Sequence, residues 1–119
     1  MRSHKDLDVW KRAMDIVDSI YSITKQFPRE EIYGLTSQMR RCAVSVPSNI
    51  AEGSARNHPK DYIQFLYTSL GSLSELETQI IIARRQNYIT QIDSILNELT
   101  ITRKQIIGLI KSVSAKINK

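Results

Sequence analysis

Apolar residues recur along this chain at alternating steps of three and four, the spacing that gathers them on one face of an α-helix. Trp10, Met14, Val17, Tyr21 and Thr24 form a first row, widened by Ala13, Ile16, Ile20 and Ile23 and stopped by Phe27-Pro28. Leu35, Met39, Cys42, Val46, Asn49 and Gly53 form a second, with Ala43 and Ile50 beside it. The third runs Tyr62, Leu66, Ser69, Leu73, Leu76, Ile80 and Ala83, flanked by Ile63, Phe65, Tyr67 and Leu70. The fourth is Ile92, Leu96, Leu99, Arg103, Ile106, Ile110, Val113 and Ile117, interrupted by Arg103. No segment alternates as a strand does. The rows predict helices over about 6–26, 35–55, 59–86 and 90–116. Punctuation agrees: Gly34 precedes the second helix, and Pro59 fits a first turn capped by Asn57 or His58. Asn87 suits the left-handed residue that closes a helix, and Thr90 suits the next cap. Short connections make sequential helices antiparallel. The predicted fold is therefore all-α, an antiparallel up-down-up-down four-helix bundle forming one domain over residues 1–119.

Two features complicate this pattern. Pro47 removes a backbone donor inside the second helix and crowds the carbonyl four residues back, near Ala43. Because the apolar row keeps phase through Ile50 and Gly53, a single kinked helix is expected, with a polar group free to reach that carbonyl. The apolar stripes are also wider than one core needs. Helix four adds Ile95, Ile101, Thr102, Ile107 and Leu109, and helix one adds Leu7, Val9, Ile16 and Ile23. Surplus aliphatic area predicts self-association.

The chain has 119 residues, 41% hydrophobic and 24% charged, with four glycines and three prolines. Disorder and collagen-like polymers are excluded by that balance. A lone Cys42 allows neither an internal disulfide nor a cysteine-held zinc. No apolar run reaches the roughly 20 residues of a membrane span, and no leader pattern is visible, so a cytoplasmic address is expected. The net charge is +5, but it is local. Residues 32–60 carry four basic groups against Glu52, and from Arg103 onward there are five basic residues and no acid. Local positive excess favours phosphate backbones; lysines near a helix C-terminus also simply offset its dipole.

Catalytic constellations do not assemble. Di-iron bundles need Glu-x-x-His pairs, and His4 and His58 are preceded at that spacing by Met1 and Ala55. Cys42 lies on an apolar face, Glu75 and Glu77 project from different sides of their helix, and no glycine-rich phosphate loop exists. No metal, no cofactor and no enzymatic activity are expected. The stretch from Arg40 to Arg56 is the unusual one. Arg41, Ser45, Ser48 and Glu52 share a flank by helical spacing, which puts Arg41 near Glu52, and Asn49 falls on the core row. A buried amide there reads first as a device for helix register or subunit pairing, and second as a ligand contact. Ser69, Gly71, Ser72 and Ser74 suit close approach by a facing helix.

These residues also carry a resemblance. Leu7-Asp8-Val9-Trp10-Lys11, the run Phe27 to Arg41, Ser45-Val46-Pro47-Ser48-Asn49-Ile50-Ala51-Glu52-Gly53 with Arg56, Phe65-Leu66, Gly71-Ser72 and Glu75-Leu76-Glu77-Thr78-Gln79 together resemble the four-helix bundle proteins encoded within 23S rRNA intervening sequences, the S23 family. The likeness spans residues 7 to about 89, leaving helix four outside it. Cys42 and Asn87 stand where that family commonly has alanine and glycine. The resemblance implies a bacterial cytoplasmic bundle without catalytic activity. Through the related accessory variability proteins of diversity-generating retroelements, it implies a homopentamer with a basic surface, associated with nucleic acid and a reverse transcriptase. It assigns Arg41, Ser45, Pro47, Ser48, Asn49, Glu52 and Gly53 to a structural motif.

Two functions follow. The first is an oligomeric scaffold that contacts RNA or DNA through phosphates, with Arg40, Arg56, Lys60, Arg84, Arg85, Arg103, Lys104 and Lys111 as candidate contacts. Base recognition is not expected, since Tyr33, Tyr62 and Tyr67 read as helix-face or turn residues. The second is a protein–protein adaptor ring, for example an accessory to a reverse transcriptase, without direct nucleic-acid contact.

Overall fold

The computed structural model describes residues 3–117. After a 3-10 turn at His4–Asp6 come α1 (Asp8–Thr24), a 3-10 turn at Arg29–Glu31, α2 (Leu35–Ala55), α3 (Pro59–Arg85) and α4 (Asp93–Ile117). Among the described residues there are four α-helices and no strands. The body measures 51 × 23 × 20 Å, long enough for the 27 residues of α3 at about 1.5 Å per residue. Each helix packs on its neighbour in sequence and α4 returns to α1, while the diagonal pairs make no close backbone approach.

The ends follow local chemistry. Leu7 is extended, so α1 starts at Asp8 rather than near residue 6. α2 is one unbroken helix through Pro47, as expected. Asn87 has φ 65°, and the N–H groups of Tyr88 and Asn87 donate to the carbonyls of Ala83 and Arg84, both at 2.9 Å. That is the paired closure a left-handed residue makes possible. His58 precedes Pro59 at the start of α3. The Thr90 cap does not form: α4 begins at Asp93, after Ile92 has already been buried in the core.

The rows facing the core differ instructively from those expected. In α1 the buried row is Val9, Ala13, Ile16, Ile20 and Thr24, one position round from Trp10, Met14, Val17 and Tyr21. The bulkier row borders α2, where Trp10, Met14 and Val17 face Val44, Pro47 and Ala51. In α4, Thr102 stands in the core where Arg103 was expected; its hydroxyl donates to the Glu98 carbonyl at 2.8 Å, so the burial leaves it satisfied. Ile117 is exposed. In α2, Ile50 is buried and Asn49 only half-buried, which corrects the placement of Asn49 on the core row.

α2 and α3 approach most closely. Ser69 Oγ donates to the Val46 carbonyl at 2.9 Å, Cys42 Sγ donates to the Ser72 carbonyl at 3.0 Å, and the Ser45 and Ser72 hydroxyls meet at 2.7 Å. Near the turn, the Cα of Gly53 comes so near Phe65 and Tyr62 that a Cβ there would lie 2.8 Å from the Phe65 Cβ. Of the small residues on α3, Ser69 and Ser72 serve this contact. Gly71 and Ser74 face away.

Candidate nucleic-acid interface

The eight candidate cations do not converge. Arg56 pairs with Glu52 at 3.4 Å and lies over the Phe65 ring. Arg103 pairs with Glu77 at 3.2 Å, tying α4 to α3. Lys60, Arg84, Arg85, Lys104 and Lys111 are exposed and make no ion pair among the described residues, but they sit at the start of α3, the end of α3 and two levels of α4. Such scattered surface charges add to a general potential without building a site.

Arg40 is different. Its Nε–H donates to Thr24 Oγ1 at 2.9 Å, and that hydroxyl donates to the Ile20 carbonyl at 2.7 Å. The guanidinium rests 4.7 Å from the centre of the Tyr21 ring. Held by Thr24 and Tyr21 at the end of α1, Arg40 is oriented before any ligand arrives. It lines a cleft of about 810 Å³ between the end of α1, the following connection and the start of α2. Lys25, Arg29 and Arg41 line the same cleft, and no carboxylate does. None of these four cations has an ion pair among the described residues.

Lys25 and Arg29 were not among the expected contacts, and Arg41 had been assigned to Glu52. That pairing does not occur. Eleven positions separate the two residues, about 16 Å along a helix, and Glu52 is held by Arg56 one turn away. What unites the four cations is the connection between α1 and α2, which brings residues 24–29 against residues 36–41. The sequence signal lay in the Arg40-Arg41 pair together with the short connection that precedes it.

Two carboxylates, Glu30 and Glu31, stand in the connection beside the cleft. Glu31 Oε1 accepts the Leu35 N–H at 3.0 Å, and its Oε2 accepts the Tyr88 hydroxyl proton at 2.8 Å. The bond from the Leu35 backbone, then that from Tyr88, holds the Glu31 carboxyl below its ordinary value of 4.5. Gly34 has no side chain to cap α2, so Glu31 supplies the acceptor from the preceding turn.

The other unusual residues serve packing. Asn49 Nδ2 donates to the Ser45 carbonyl at 2.8 Å and to its hydroxyl at 3.0 Å. With Ser69 on Val46, these bonds occupy the carbonyls just before Pro47; among the described residues no side chain is bonded to that of Ala43. Pro47 is buried, while Ser48 and Ala51 line a groove with Trp10, Met14, Val17 and Val44. Cys42 is buried, and desolvation, followed by the charge of Glu75, pushes its thiol up to about 12. No group of three His, Cys, Asp or Glu residues among the described residues is placed to hold a metal ion.

The sequence profile of the family described as 23S rRNA-intervening sequence protein matches residues 5–108. This chain belongs to that family. A solved structure from Bacteroides thetaiotaomicron, described as a protein with unknown function from the S23 ribosomal protein family, is similar at 26% identity. It covers 87% of this chain and 95% of its own, with a TM-score of 0.79. No curated protein matches. The family match takes in α4 as far as Gly108, so the fourth helix belongs to the shared fold and only its last turns fall beyond the match. No helix among the described residues is long and apolar enough to cross a membrane.

Proposed function

We propose that this family member is a non-enzymatic, homo-oligomeric bundle that associates with RNA or DNA by holding backbone phosphates. The observation that carries the reading is the cleft lined by Lys25, Arg29, Arg40 and Arg41 with no carboxylate among its lining residues. Four cations around one concavity focus positive potential far more than the same charges spread over rods. We infer the antiparallel up-down-up-down order from contact registers. Residues 42, 46 and 53 of α2 meet residues 72, 69 and 65 of α3. The end of α1 at Ser22 and Ile23 lines a groove with Gln91, Ser94 and Ile95 around the start of α4, while Arg12 meets the later Glu98. Self-association is supported by α1 and α2, where Trp10, Met14, Val17, Val44 and Ala51 form an open groove of about 330 Å³. A pentamer of cytoplasmic location is what the family resemblance implies.

Fluorescence polarisation with labelled RNA across a salt series tests the function. Four phosphate contacts give a slope of log affinity against log salt near −3 on a single strand. No binding at about 50 mM salt would overturn the reading and leave the adaptor ring, with a protein such as a reverse transcriptase as partner, in its place.

A further inference from the structure

The connection that walls the cleft ends in a residue with no packing role. Tyr33 is 97% exposed, and Ile32 before it is 47% exposed while lining the cleft. Every other large apolar residue on the surface is at least two-fifths covered. A tight turn after Arg29–Glu31 needs no aromatic ring, and one left wholly in water gains nothing from folding. It stands one residue from the cleft wall, about 3.8 Å between Cα atoms, and four residues after Arg29.

We propose that this end of the bundle binds single-stranded nucleic acid, one unpaired base stacking on Tyr33 while neighbouring phosphates lie in the cleft on Lys25, Arg29, Arg40 and Arg41. The inference rests on the phosphate-binding reading above and adds the strandedness of the ligand. In a duplex each base face is covered by its neighbours, so a ring at the tip of a turn has nothing to stack on. A single strand offers free faces at every nucleotide. The charge distribution suits such a ligand. The guanidinium of Arg40 is fixed from behind through Thr24 and Tyr21, and its two terminal nitrogens have no hydrogen-bond partner among the described residues. Thr36 lines the same cleft at the start of α2, is only 6% exposed, and has a hydroxyl oxygen with no hydrogen-bond partner. A buried hydroxyl without a partner is costly, and a phosphate oxygen supplies the missing acceptor. Glu30 and Glu31 are the opposing charges of the connection; Glu31 is engaged with Leu35 and Tyr88, and neither lines the cleft formed by Lys25, Arg29, Arg40 and Arg41. This revises the expectation that no tyrosine is available to a base.

The test uses the full chain, a fluorescein-labelled mixed-sequence RNA of about 12 nucleotides, the DNA strand of the same sequence, and the duplex of each. Both single strands are expected to bind at least about tenfold more tightly than their duplexes. Tyr33→Ala is expected to weaken single-strand binding by about tenfold or more, leaving the salt slope and duplex binding unchanged. Tyr33→Phe, which keeps the ring, is expected to bind like the parent. Arg29→Gln with Arg41→Gln is expected to flatten the single-strand salt slope by about 1.4. Since Tyr33 is almost wholly exposed, its variants are expected to keep the parent's thermal melt, which confirms that they are folded. Duplex bound as tightly as single strand, or Tyr33→Ala bound like the parent, overturns the stacking site while the phosphate reading stands. Failure of the parent chain to bind any of the four probes removes both.

Discussion

Gly53 sets the spacing between α2 and α3, and replacing it with alanine separates two opposing effects. Alanine favours a helix interior over glycine by about 1 kcal/mol, so an open position would gain stability. At Gly53 the new Cβ would lie 2.8 Å from Phe65 Cβ, 2.9 Å from Tyr62 Cδ1 and 3.3 Å from the Tyr62 carbonyl oxygen. The Phe65 Cβ and the Tyr62 carbonyl cannot turn aside, because each is fixed to the α3 backbone. Relief therefore requires the helices to part, and overpacking of that kind costs about 3 kcal/mol at the upper end of its usual range. The expected net effect is a loss of about 2 kcal/mol for Gly53→Ala. Gly71 and Gly108 provide the contrast, since a Cβ at either meets nothing within 4 Å. Gly71→Ala and Gly108→Ala are expected to gain about 0.5–1 kcal/mol each. Urea unfolding followed by helical circular dichroism, at one fixed protein concentration because association couples to stability, reads all three. A Gly53→Ala midpoint at or above the parent's would refute the close-approach argument.

Two further outcomes concern titrating groups. Ionised Glu31 accepts bonds from Leu35 and Tyr88, in that order of effect, and its folded pKa lies below the ordinary 4.5. Its contribution is thus complete above about pH 4.5 and lost as pH falls through the lowered value. Thermal melts from about pH 6 down to about pH 3 should show the parent declining more than Glu31→Gln, and parallel declines would refute the cap. Cys42, raised to about 12 by burial and then by the Glu75 charge, should be nearly inert to a thiol reagent at about pH 8. The three-unit rise lowers its thiolate fraction about a thousandfold, so reaction only after addition of denaturant is expected. Rapid reaction of the native protein would show the site to be open.

The helices were legible because periodicity and punctuation are local properties: Asn87, Pro59 and the short connections each act within a few residues. The rotation of α1 was not. Two adjacent rows, Val9-Ala13-Ile16-Ile20 and Trp10-Met14-Val17-Tyr21, are both apolar, and periodicity alone cannot choose between them. Packing distance chooses, because Ala13 permits an approach that Trp10 and Met14 do not. Thr102 replaced Arg103 in the core for a related reason. A threonine can satisfy its hydroxyl on the carbonyl one turn back, whereas a guanidinium needs an outside partner and finds it in Glu77.

The cleft exposes a different boundary to sequence reading. Charge runs at Arg40-Arg41, Arg84-Arg85 and Arg103-Lys104 stand out along the chain, yet a run does not by itself make a site: Arg40-Arg41 lines the cleft because the end of α1 and its connection stand opposite it. Convergence comes instead from the connection between α1 and α2, which sets Lys25 and Arg29 opposite Arg40 and Arg41. The same connection explains why Arg40 is held by Thr24 and Tyr21. Thr24, the last residue of α1, can reach across to an arginine in the second turn of α2, while a residue midway along an outer face has no second element beside it. In a fold made of four straight elements, preorganised charge should therefore be sought where connections bring helix ends together. Here that end carries both the four cations and the uncovered ring of Tyr33.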